Sequence, residues 1–333
     1  MAEKVYIFKN KEELLEDEFI GKKVLVAGGA GLIGRQLVNL LLTSGAHVFV
    51  SDIRTPDVNF LKKVSFKKYD LTEYQNCLDV CCGMDYVFNL LCVKASPKIM
   101  KEKPASYFVP QILFNTNLLR AAYKCKVKKY LYTSSLGVYH PNELLIEDDV
   151  WKTQPSENDR FAGWAKRMGE LQAEAYKIQY GWQDISIARP ANTYGPYDDF
   201  HSDAAMVVPS MIKKVLTCDR QIVVWGDGSN IRDFIHSRDV ARGLMVLMHK
   251  SPGPEYPVNL GSGVGHSVNE LIEIITKNAN KEIEIIYDPK INTGDQRRVM
   301  DQTRARSIGF EPLISLDEGI RELIEWYVEN EKS

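Results

Sequence analysis

Residues 23–34 read KVLVAGGAGLIG, and this stretch decides the fold. The residues before its first glycine form an apolar, β-branched run of the kind found in buried strands. Glycines then stand at positions 28, 31 and 34, and the chain continues as LIGRQLVNLLLTSG, whose apolar residues recur at helical spacing up to a glycine stop. The stretch therefore predicts a strand, a tight glycine turn and a helix.

The same alternation continues after this stretch. Short strand-like runs, namely HVFVSDI, VSFKKYDL, MDYVFNLLC, KKYLYTSS and QDISIARP, are separated by segments with helical periodicity. Because parallel strands need right-handed crossovers, this order predicts an α/β fold, a Rossmann-type doubly wound parallel sheet. From Pro190 onward, Gly- and Pro-rich loops separate the helical segments, which indicates a smaller C-terminal lobe.

These patterns give approximate domain boundaries. Residues 1–20 are a charged N-terminal extension, residues 21–190 form the sheet domain, and residues 191–333 form mainly the smaller lobe. Two strand-like segments near 231–260, RDFIH and PVNLG, are expected to return to the first domain.

Composition limits the possible functions. The chain has 333 residues, of which 44% are hydrophobic, so a sizeable core needs no metal or disulfide. Its 42 basic and 44 acidic side chains nearly balance, which argues against nucleic-acid and anionic-membrane partners. The start, MAEKVYIFKNKEELLEDEF, lacks the apolar region of a signal peptide, and no stretch is apolar enough to span a bilayer. We expect a soluble, cytoplasmic protein.

The cysteines form no recognisable framework. They are Cys77, Cys81, Cys82, Cys92, Cys125 and Cys218. Their spacing fits neither a paired extracellular pattern nor the CxxC…CxxC pattern of a zinc site. We expect free thiols in a reducing cytosol and no metal site.

The glycine loop is suited to bind a dinucleotide. Glycines let a pyrophosphate approach the N-terminus of the next helix, where free N–H groups favour an anion. Asp52 ends the second strand, and a carboxylate there binds a ribose 2′-hydroxyl and repels the 2′-phosphate of NADP. We therefore predict NAD, although Arg54 lies nearby. The predicted cofactor-binding residues are Gly28, Gly31, Leu32, Ile33, Gly34, Asp52, Asp70, Leu71 and Lys166, with Asp70 and Leu71 beside the adenine.

Five stretches together resemble the extended short-chain dehydrogenase/reductase family that acts on nucleotide sugars. They are the GxxGxxG loop, YTSSLGVY, the helix in NDRFAGWAKRMGELQ, RPANTYGPYDDF and GDGSNIRDFIHSRDVARG. The resemblance runs from about Lys22 to the final helix and is nearest the branch of GDP-fucose synthase and GDP-mannose 3,5-epimerase. It implies bound NAD, a nucleotide-diphosphate sugar between two lobes, and a homodimer built on helices 104–125 and 160–180.

The resemblance also assigns catalytic groups. In the family a tyrosine stands four residues before a lysine, whose charge lowers the tyrosine pKa from about 10. The tyrosine takes the proton of a sugar hydroxyl while the nicotinamide takes hydride from the same carbon. Lys166 matches the lysine, and Ser135 matches the hydroxyl that holds the reacting oxygen, with Ser134 and Thr133 as alternatives. The tyrosine position holds Ala162.

Ala162 admits three interpretations. Our leading hypothesis is that it replaces a tyrosine, as a deliberate change that leaves an impaired enzyme, because Lys166 and Ser135 are still present. A second keeps the enzyme and moves the base to His201 or a water relay. A third, of another class, is a catalytically silent protein that binds NAD or a sugar nucleotide.

Other departures from the family pattern reduce the number of reactions that this protein could catalyse. Leu136 and Gly137 stand where 4,6-dehydratases carry Asp-Glu, which disfavours dehydration. The 3,5-epimerases have a cysteine at the position of Gly137 and His or Lys at that of His201, and only the second is present here. We predict an epimerase that transiently oxidises one carbinol carbon, with C4 favoured. A 4-dehydrogenase or reductase and a 3,5-epimerase remain the alternatives.

Substrate recognition is expected to come from local charge. Arginine forks suit phosphate oxygens, and the resemblance places Arg232 near the diphosphate. The predicted substrate-binding residues are Ser134, Asn192, Arg232 and Arg297, with Arg298 as an alternative to Arg297. The resemblance slightly favours GDP as the nucleotide.

Overall fold

A computed structural model describes residues 16–93, 102–202, 205–290 and 294–330. The strands are β1 (Lys23–Ala27), β2 (His47–Asp52), β3 (Ser65–Lys68), β4 (Tyr86–Asn89), β5 (Lys129–Thr133), β6 (Ile185–Pro190), β7 (Asn192–Tyr194), β8 (Gln221–Trp225), β9 (Ile231–His236), β10 (Val258–Leu260), β11 (Gly265–Ser267), β12 (Glu284–Asp288) and β13 (Arg297–Arg298). The helices are α1 (Glu16–Phe19), α2 (Leu32–Thr43), α3 (Val58–Leu61), α4 (Tyr74–Cys81), α5 (Ala105–Lys124), α6 (Arg160–Tyr180), α7 (Val207–Thr217), α8 (Ser237–Lys250), α9 (Val268–Ala279), α10 (Thr303–Ser307) and α11 (Leu316–Asn330).

The central sheet confirms the predicted fold class. It has seven parallel strands in the order β10-β6-β5-β4-β1-β2-β3. The strand order reverses direction next to β1, where a doubly wound sheet opens a crevice for a ligand. Strands β4 and β6 are buried along their whole length, as expected for strands of a parallel sheet that is covered on both faces.

Helices cover both faces of this sheet. On one face α2 packs against α8, and their Leu37, Leu41 and Leu244 join one buried cluster. On the other face α4, α5 and α6 bury a second cluster that includes Leu118 and Ala173. Both faces are therefore shielded from water, as a parallel sheet requires.

The C-terminal lobe has small sheets of its own. Strand β9 pairs with β7, β11 and β13, and β8 pairs with β12. The segment PVNLG does return to the main sheet, where β10 lies beside β6, and α8 returns with it. The structure places RDFIH in the small sheet instead, because Phe234 of β9 packs into the core of the lobe with α7, α9 and α11.

The end of the predicted N-terminal extension belongs to the folded domain. Phe19 is fully buried and packs on the rings of Tyr86 and Phe88, at centroid distances of 6.0 and 6.5 Å. Glu18 accepts hydrogen bonds from Tyr86 Oη at 2.6 Å and Lys129 Nζ at 2.8 Å. Residues 1–15 of the extension lie outside the described residues.

One expectation about the cysteines is wrong. Cys82 and Cys125 form a disulfide, because the C-terminal ends of α4 and α5 lie side by side and bring their Cα atoms within 4.8 Å. A sequence separation of 43 residues conceals this pairing. Cys77, Cys81, Cys92 and Cys218 are free thiols.

The described residues contain neither a candidate membrane span nor a candidate metal cluster. No helix among them is long and apolar enough to cross a bilayer. Within the same residues, no group of three or more His, Cys, Asp or Glu side chains is placed to hold a metal ion.

Candidate active site

The glycine loop joins β1 to α2 at the carboxyl edge of the sheet. Gly28 has φ of +81°, a conformation that L side chains rarely adopt. A Cβ at Gly34 would lie 2.6 Å from Gly28 O and from Gly29 Cα, so only glycine lets α2 begin this close to the loop. The result is a backbone cradle at a helix N-terminus, which fits the pyrophosphate of a dinucleotide.

Asp52 lies beside this cradle at the end of β2. Its Oδ2 accepts a hydrogen bond from Ala30 N at 3.2 Å, and its Oδ1 accepts one from Arg54 N at 3.0 Å. The carboxylate thus braces the glycine loop from the end of β2. Arg54 itself is exposed and reaches over Gly31.

The predicted cofactor residues Leu32, Ile33, Asp70 and Leu71 lie near the same carboxyl edge of the central sheet. Leu32 is buried, and Ile33 packs against the apolar cluster on the α2 face. Asp70 follows β3 and accepts hydrogen bonds from Thr72 N at 2.9 Å and Thr72 Oγ1 at 2.8 Å. Leu71 is buried next to it. Their position after β3, which neighbours β2, agrees with the adenine end of a dinucleotide site.

Helix α6 approaches the end of β5 closely because two of its residues lack side chains. A Cβ at Gly163 would lie 2.3 Å from Gly137 O, and one at Gly169 would lie 2.3 Å from the Tyr132 ring. Arg167 fixes the same contact by donating from Nε to Val138 O at 2.9 Å. The helix therefore presents its N-terminal turns to the strand end that carries the serines.

Lys166 is buried at this junction. Its Nζ donates to Thr133 O at 2.8 Å and to Leu91 O at 3.3 Å, which joins α6 to the ends of β5 and β4. Burial lowers the pKa of the Lys166 ammonium. The ammonium is therefore fixed at the carboxyl ends of β4 and β5.

The three candidate hydroxyls have different surroundings. Ser134 Oγ donates to Glu170 Oε1 at 2.5 Å, and Glu170 pairs with the fully buried Arg189, so Ser134 is bound into an internal network. Thr133 Oγ1 is buried, and no hydrogen-bond partner is found for it among the described residues. Ser135 Oγ accepts from Gly137 N at 3.1 Å and begins the 3-10 turn Leu136–Val138. Of the three residues, Ser135 alone is partly exposed.

Ala162 lies on α6 one turn before Lys166 and is partly exposed. Three residues earlier, Asp159 begins the helix, and sequence reasoning overlooked it. A Cβ at Gly137 would lie 3.5 Å from Asp159 Cβ and Cγ and 3.6 Å from Ser135 Oγ. Asp159 and Ser135 thus face one small space. The sequence signal was available, because positions 159, 162 and 166 share a helix face.

Two arginines lie side by side near Asp159. In the pairing of β13 with β9, Arg298 is opposite Arg232. Arg298 Nη2 lies 2.5 Å from Asp159 Oδ2 and 2.5 Å from Asp295 Oδ2. Burial and the neighbouring Arg298 lower the pKa of Arg232 to about 10. An anion bound here would relieve the repulsion between the two guanidinium groups.

Arg297 points elsewhere. Its Nε donates to Glu143 O at 2.9 Å, on a loop away from Arg232, because successive residues of a strand face opposite sides. Asn192 lies on β7 beside β9 and donates to Asp233 O at 2.9 Å. The structure therefore groups Arg298, the alternative residue, with Arg232.

His201 lies in the C-terminal lobe and is exposed. Its backbone N–H donates to Asp199 Oδ1 at 3.0 Å, and its Nδ1 is 3.3 Å from Lys213 Nζ. These contacts belong to the loop before α7.

A cavity of about 460 Å³ opens beside the carboxylate and arginine cluster. Its lining comes from the two turns that precede α6 and from Asp295, which accepts hydrogen bonds from Ser156 Oγ and Asn158 Nδ2, both at 2.7 Å. The lining residues are His140, Pro141, Thr153, Gln154, Pro155, Ser156, Glu157, Asn158 and Asp295.

Comparison with known proteins defines the class. Residues 24–261 match the NAD dependent epimerase/dehydratase family. The chain is 30% identical over 319 residues to a putative GDP-L-fucose synthase 2 of Arabidopsis thaliana, covering 92% of each protein. It superposes with a TM-score of 0.82 on the UDP-glucose 4-epimerase of Thermotoga maritima with UDP-glucose (27% identity, 92% of this chain and 99% of that one). For the Thermus thermophilus UDP-glucose 4-epimerase in complex with NAD, the TM-score is 0.80 (26% identity, 92% and 99% covered).

This chain belongs to the NAD-dependent epimerase/dehydratase family, a group of short-chain dehydrogenase/reductase folds. The family resemblance, the fold and the expectation of NAD as cofactor are confirmed. The glycine cradle and the braced Asp52 fit that cofactor, because a side chain at Gly34 would close the cradle.

Proposed function

We propose that this protein is an NAD-dependent epimerase that acts on a nucleotide-diphosphate sugar by transient oxidation of one carbinol carbon, C4. The observation that carries the proposal is the junction of α6 with β5. There the buried Lys166 and the hydroxyl of Ser135 meet at the edge of the sheet that also holds the glycine cradle.

Each group has a part in this function. When bound, NAD accepts hydride from the carbinol carbon and later returns it. Lys166 holds the nicotinamide ribose with its fixed ammonium, and Ser135 forms a hydrogen bond with the reacting hydroxyl group. Arg232 and Arg298, the two adjacent arginines, bind the diphosphate, with Asn192 beside them. We place Arg298 in this role in preference to Arg297, which bonds to Glu143.

Two positions that carry acid or base groups in other members of the family lack them here, which favours epimerisation at one carbon over the other reactions. Leu136 and Gly137 provide no acid or base for dehydration or for a 3,5-epimerisation. A nucleotide-sugar 4-dehydrogenase or reductase needs the same residues, and we keep it as the alternative. Because the relatives act, by name, on both GDP- and UDP-linked sugars, the proposal extends only to nucleoside diphosphate sugars.

Ala162 divides the proposal into two versions. In one, the chain is an impaired enzyme that lacks its base; in the other, a different group does the work of the tyrosine. The position of Asp159 beside Ser135 favours the second version. The competing function of another class remains a silent binder of NAD or sugar nucleotide.

A homodimer and a cytoplasmic location complete the proposal. Helices α5 and α6 pack together and leave apolar side chains exposed, with Val109 49%, Leu171 45% and Ile178 76% accessible. Such a surface suits the two-helix seam of the family. Four cysteines are thiols, as in a reducing compartment, whereas the disulfide between Cys82 and Cys125 favours an oxidising one. Light scattering that gives a monomer at micromolar concentration would contradict the dimer.

The deciding experiment is to denature the purified protein and identify the small molecules that it releases by mass spectrometry. We expect NAD, and a nucleoside diphosphate sugar where one remains bound. The native protein is then incubated with a panel of sugar nucleotides, and epimers are separated by chromatography. NAD release with an interconverted pair of C4 epimers supports the proposal, whereas NAD release without turnover of any sugar supports the silent binder.

A further inference from the structure

We propose that Asp159 is the acid and base for the sugar hydroxyl, in the role that the family gives to the tyrosine missing at position 162. This inference rests on the proposed function. It follows from the position of Asp159 on α6, from the space that it shares with Ser135, and from its pairing with Arg298.

The first observation is the helix face. Asp159 is the N-cap residue of α6, and Ala162 and Lys166 follow it at spacings of three and seven residues. Residues with these spacings lie on one face of an α-helix. The face that carries the lysine of the family therefore also carries a carboxylate, one turn before the missing phenol.

The second observation is the space at Gly137. A single point, the position of a Cβ on Gly137, is 3.5 Å from Asp159 Cγ and 3.6 Å from Ser135 Oγ. Because residue 137 has no side chain, nothing of its own fills the gap between the carboxylate and the hydroxyl. The 3,5-epimerase pattern puts a cysteine at that position, so Asp159 borders the place where relatives carry an acid/base group.

The third observation is the charge at Asp159. Its side chain is only 16% exposed, and Arg298 Nη2 lies 2.5 Å from Oδ2. The ion pair holds the carboxylate at the entrance of the site, next to the arginines that we assign to the diphosphate. An unpaired carboxylate this close to a diphosphate would repel it, and Arg298 offsets that repulsion.

The other basic groups of the junction are already bonded within the fold. Lys166 Nζ donates to two backbone carbonyls. Tyr139 is buried, and its Oη donates to Asn259 Oδ1 at 2.6 Å. Tyr132 is also buried. Its Oη donates a hydrogen bond to Lys166 O and accepts one from Asn115 Nδ2. Neither phenol is placed to replace the one missing at Ala162.

The proton transfer balances without another reactant. As the C–H bond of the carbinol breaks and its hydride leaves, the O–H bond breaks and a C=O bond forms. The proton moves to Ser135 Oγ while the Ser135 proton moves to the Asp159 carboxylate. Return of hydride to the other face of the ketone reverses these transfers and leaves Asp159 ionised and Ser135 unchanged.

The test compares Asp159→Asn with Asp295→Asn in the full-length protein loaded with NAD. Each variant removes one of the two carboxylates that contact Arg298, and asparagine still offers an oxygen to its neighbours. We expect Asp159→Asn to lower kcat by about 100-fold or more, the usual contribution of a general acid/base. We expect Asp295→Asn, which loosens Arg298 but leaves the carboxylate near Ser135 in place, to raise KM for the sugar nucleotide and to lower kcat by less than about fivefold, with bound NAD unchanged in both variants.

Two further readouts separate proton transfer from binding. Calorimetry with the sugar nucleotide should give Asp159→Asn a dissociation constant no larger than that of wild type, because the lost proton transfer follows binding and the substitution removes a negative charge near the diphosphate. In Asp159→Ala, added formate should restore part of the turnover and part of the transient absorbance of reduced nicotinamide. Formate should have no such effect on Asp295→Ala.

The outcomes are distinct. Equal losses in both asparagine variants would mean that Asp159 acts only by positioning Arg298, and an active Asp159→Asn variant would also overturn the inference. If the wild-type protein turns over no sugar nucleotide, the proposed function fails, and this inference fails with it.

Discussion

The candidate site has two parts. The cofactor end is the glycine loop with Asp52, and the reaction end is the group of Ser135, Asp159, Ala162 and Lys166. The two ends follow the family pattern to different degrees. At the cofactor end, the strand, the glycine loop, the helix and the acid that ends β2 are all in place. At the reaction end, Lys166 and Ser135 are in place, but the tyrosine is absent and Asp159 faces Ser135 instead. One sheet edge thus carries a complete cofactor-binding motif and an altered catalytic motif.

The physical requirements of the two ends explain this difference. A backbone cradle for a pyrophosphate depends on close approaches between main-chain atoms, and a single added Cβ at Gly34 would clash with two of them. Proton transfer needs only a group of suitable chemistry within hydrogen-bond reach of the reacting oxygen. A base can therefore move to a neighbouring position, whereas a glycine of the loop has no substitute.

The largest effect is expected at the cofactor end. In Gly34→Val the new side chain must displace Gly28 O and Gly29, so the loop opens and α2 shifts. We expect NAD affinity to fall by about 100-fold or more, because each lost hydrogen bond to a charged pyrophosphate costs about 1.5–3 kcal/mol. Calorimetry with NAD measures the loss.

Gly31→Ala is the matched control for the fold. A Cβ at Gly31 meets its nearest atom, Gly28 O, at 3.4 Å, so the loop keeps its conformation and the melting temperature should stay close to that of wild type. If Gly34→Val bound NAD as tightly as wild type, the claim that the cradle tolerates no side chain would be wrong.

The next effect is expected where the two ends meet, at Lys166. Lys166→Met keeps the length of the side chain but removes the donor to Thr133 O and Leu91 O. We expect kcat/KM to fall by about 10–100-fold, because a hydrogen bond from a charged group to the nicotinamide ribose contributes about 1.5–3 kcal/mol. Two buried carbonyls lose a partner, so the free energy of unfolding should also fall by about 1–3 kcal/mol.

Lys177→Met is the control on the same helix. Lys177 lies in the last turn of α6, where it pairs with the half-exposed Glu255. Steady-state kinetics and thermal unfolding of both variants give the comparison. Equal turnover in Lys166→Met and wild type would remove the lysine from the catalytic site.

The sequence predicted the cofactor end better than the reaction end. The glycine loop and Asp52 could be found because they are contiguous with the strand–turn–helix pattern that also sets the fold. Asp159 was missed because its neighbour across the gap, Ser135, is 24 residues earlier, and only the close approach of α6 at Gly163 brings the two together. The choice between Arg297 and Arg298 likewise needed the register of β13 on β9.

Other contacts could not be predicted from the sequence because they depend on long-range packing. The buried pair of Glu170 and Arg189 binds Ser134 from a different helix and strand, which no local pattern indicates. The disulfide between Cys82 and Cys125 depends on the parallel ends of α4 and α5. In each case the residue types were visible in the sequence, and their distances were not.

The smallest effect, and the sharpest contrast, is expected from restoring the tyrosine. Ala162 is partly exposed on the helix face that carries Lys166, so a phenol at this position lies one turn from the ammonium. If Asp159 is the working base, Ala162→Tyr alone should change kcat by less than about threefold, because a base is already present. In the Asp159→Asn background the same change should raise kcat by about tenfold.

A large gain from Ala162→Tyr in the wild-type background would instead identify an impaired enzyme that lacked only its phenol. Because the cofactor end is untouched in all four proteins, equal NAD content across the set ensures that the kinetics report the reaction end alone.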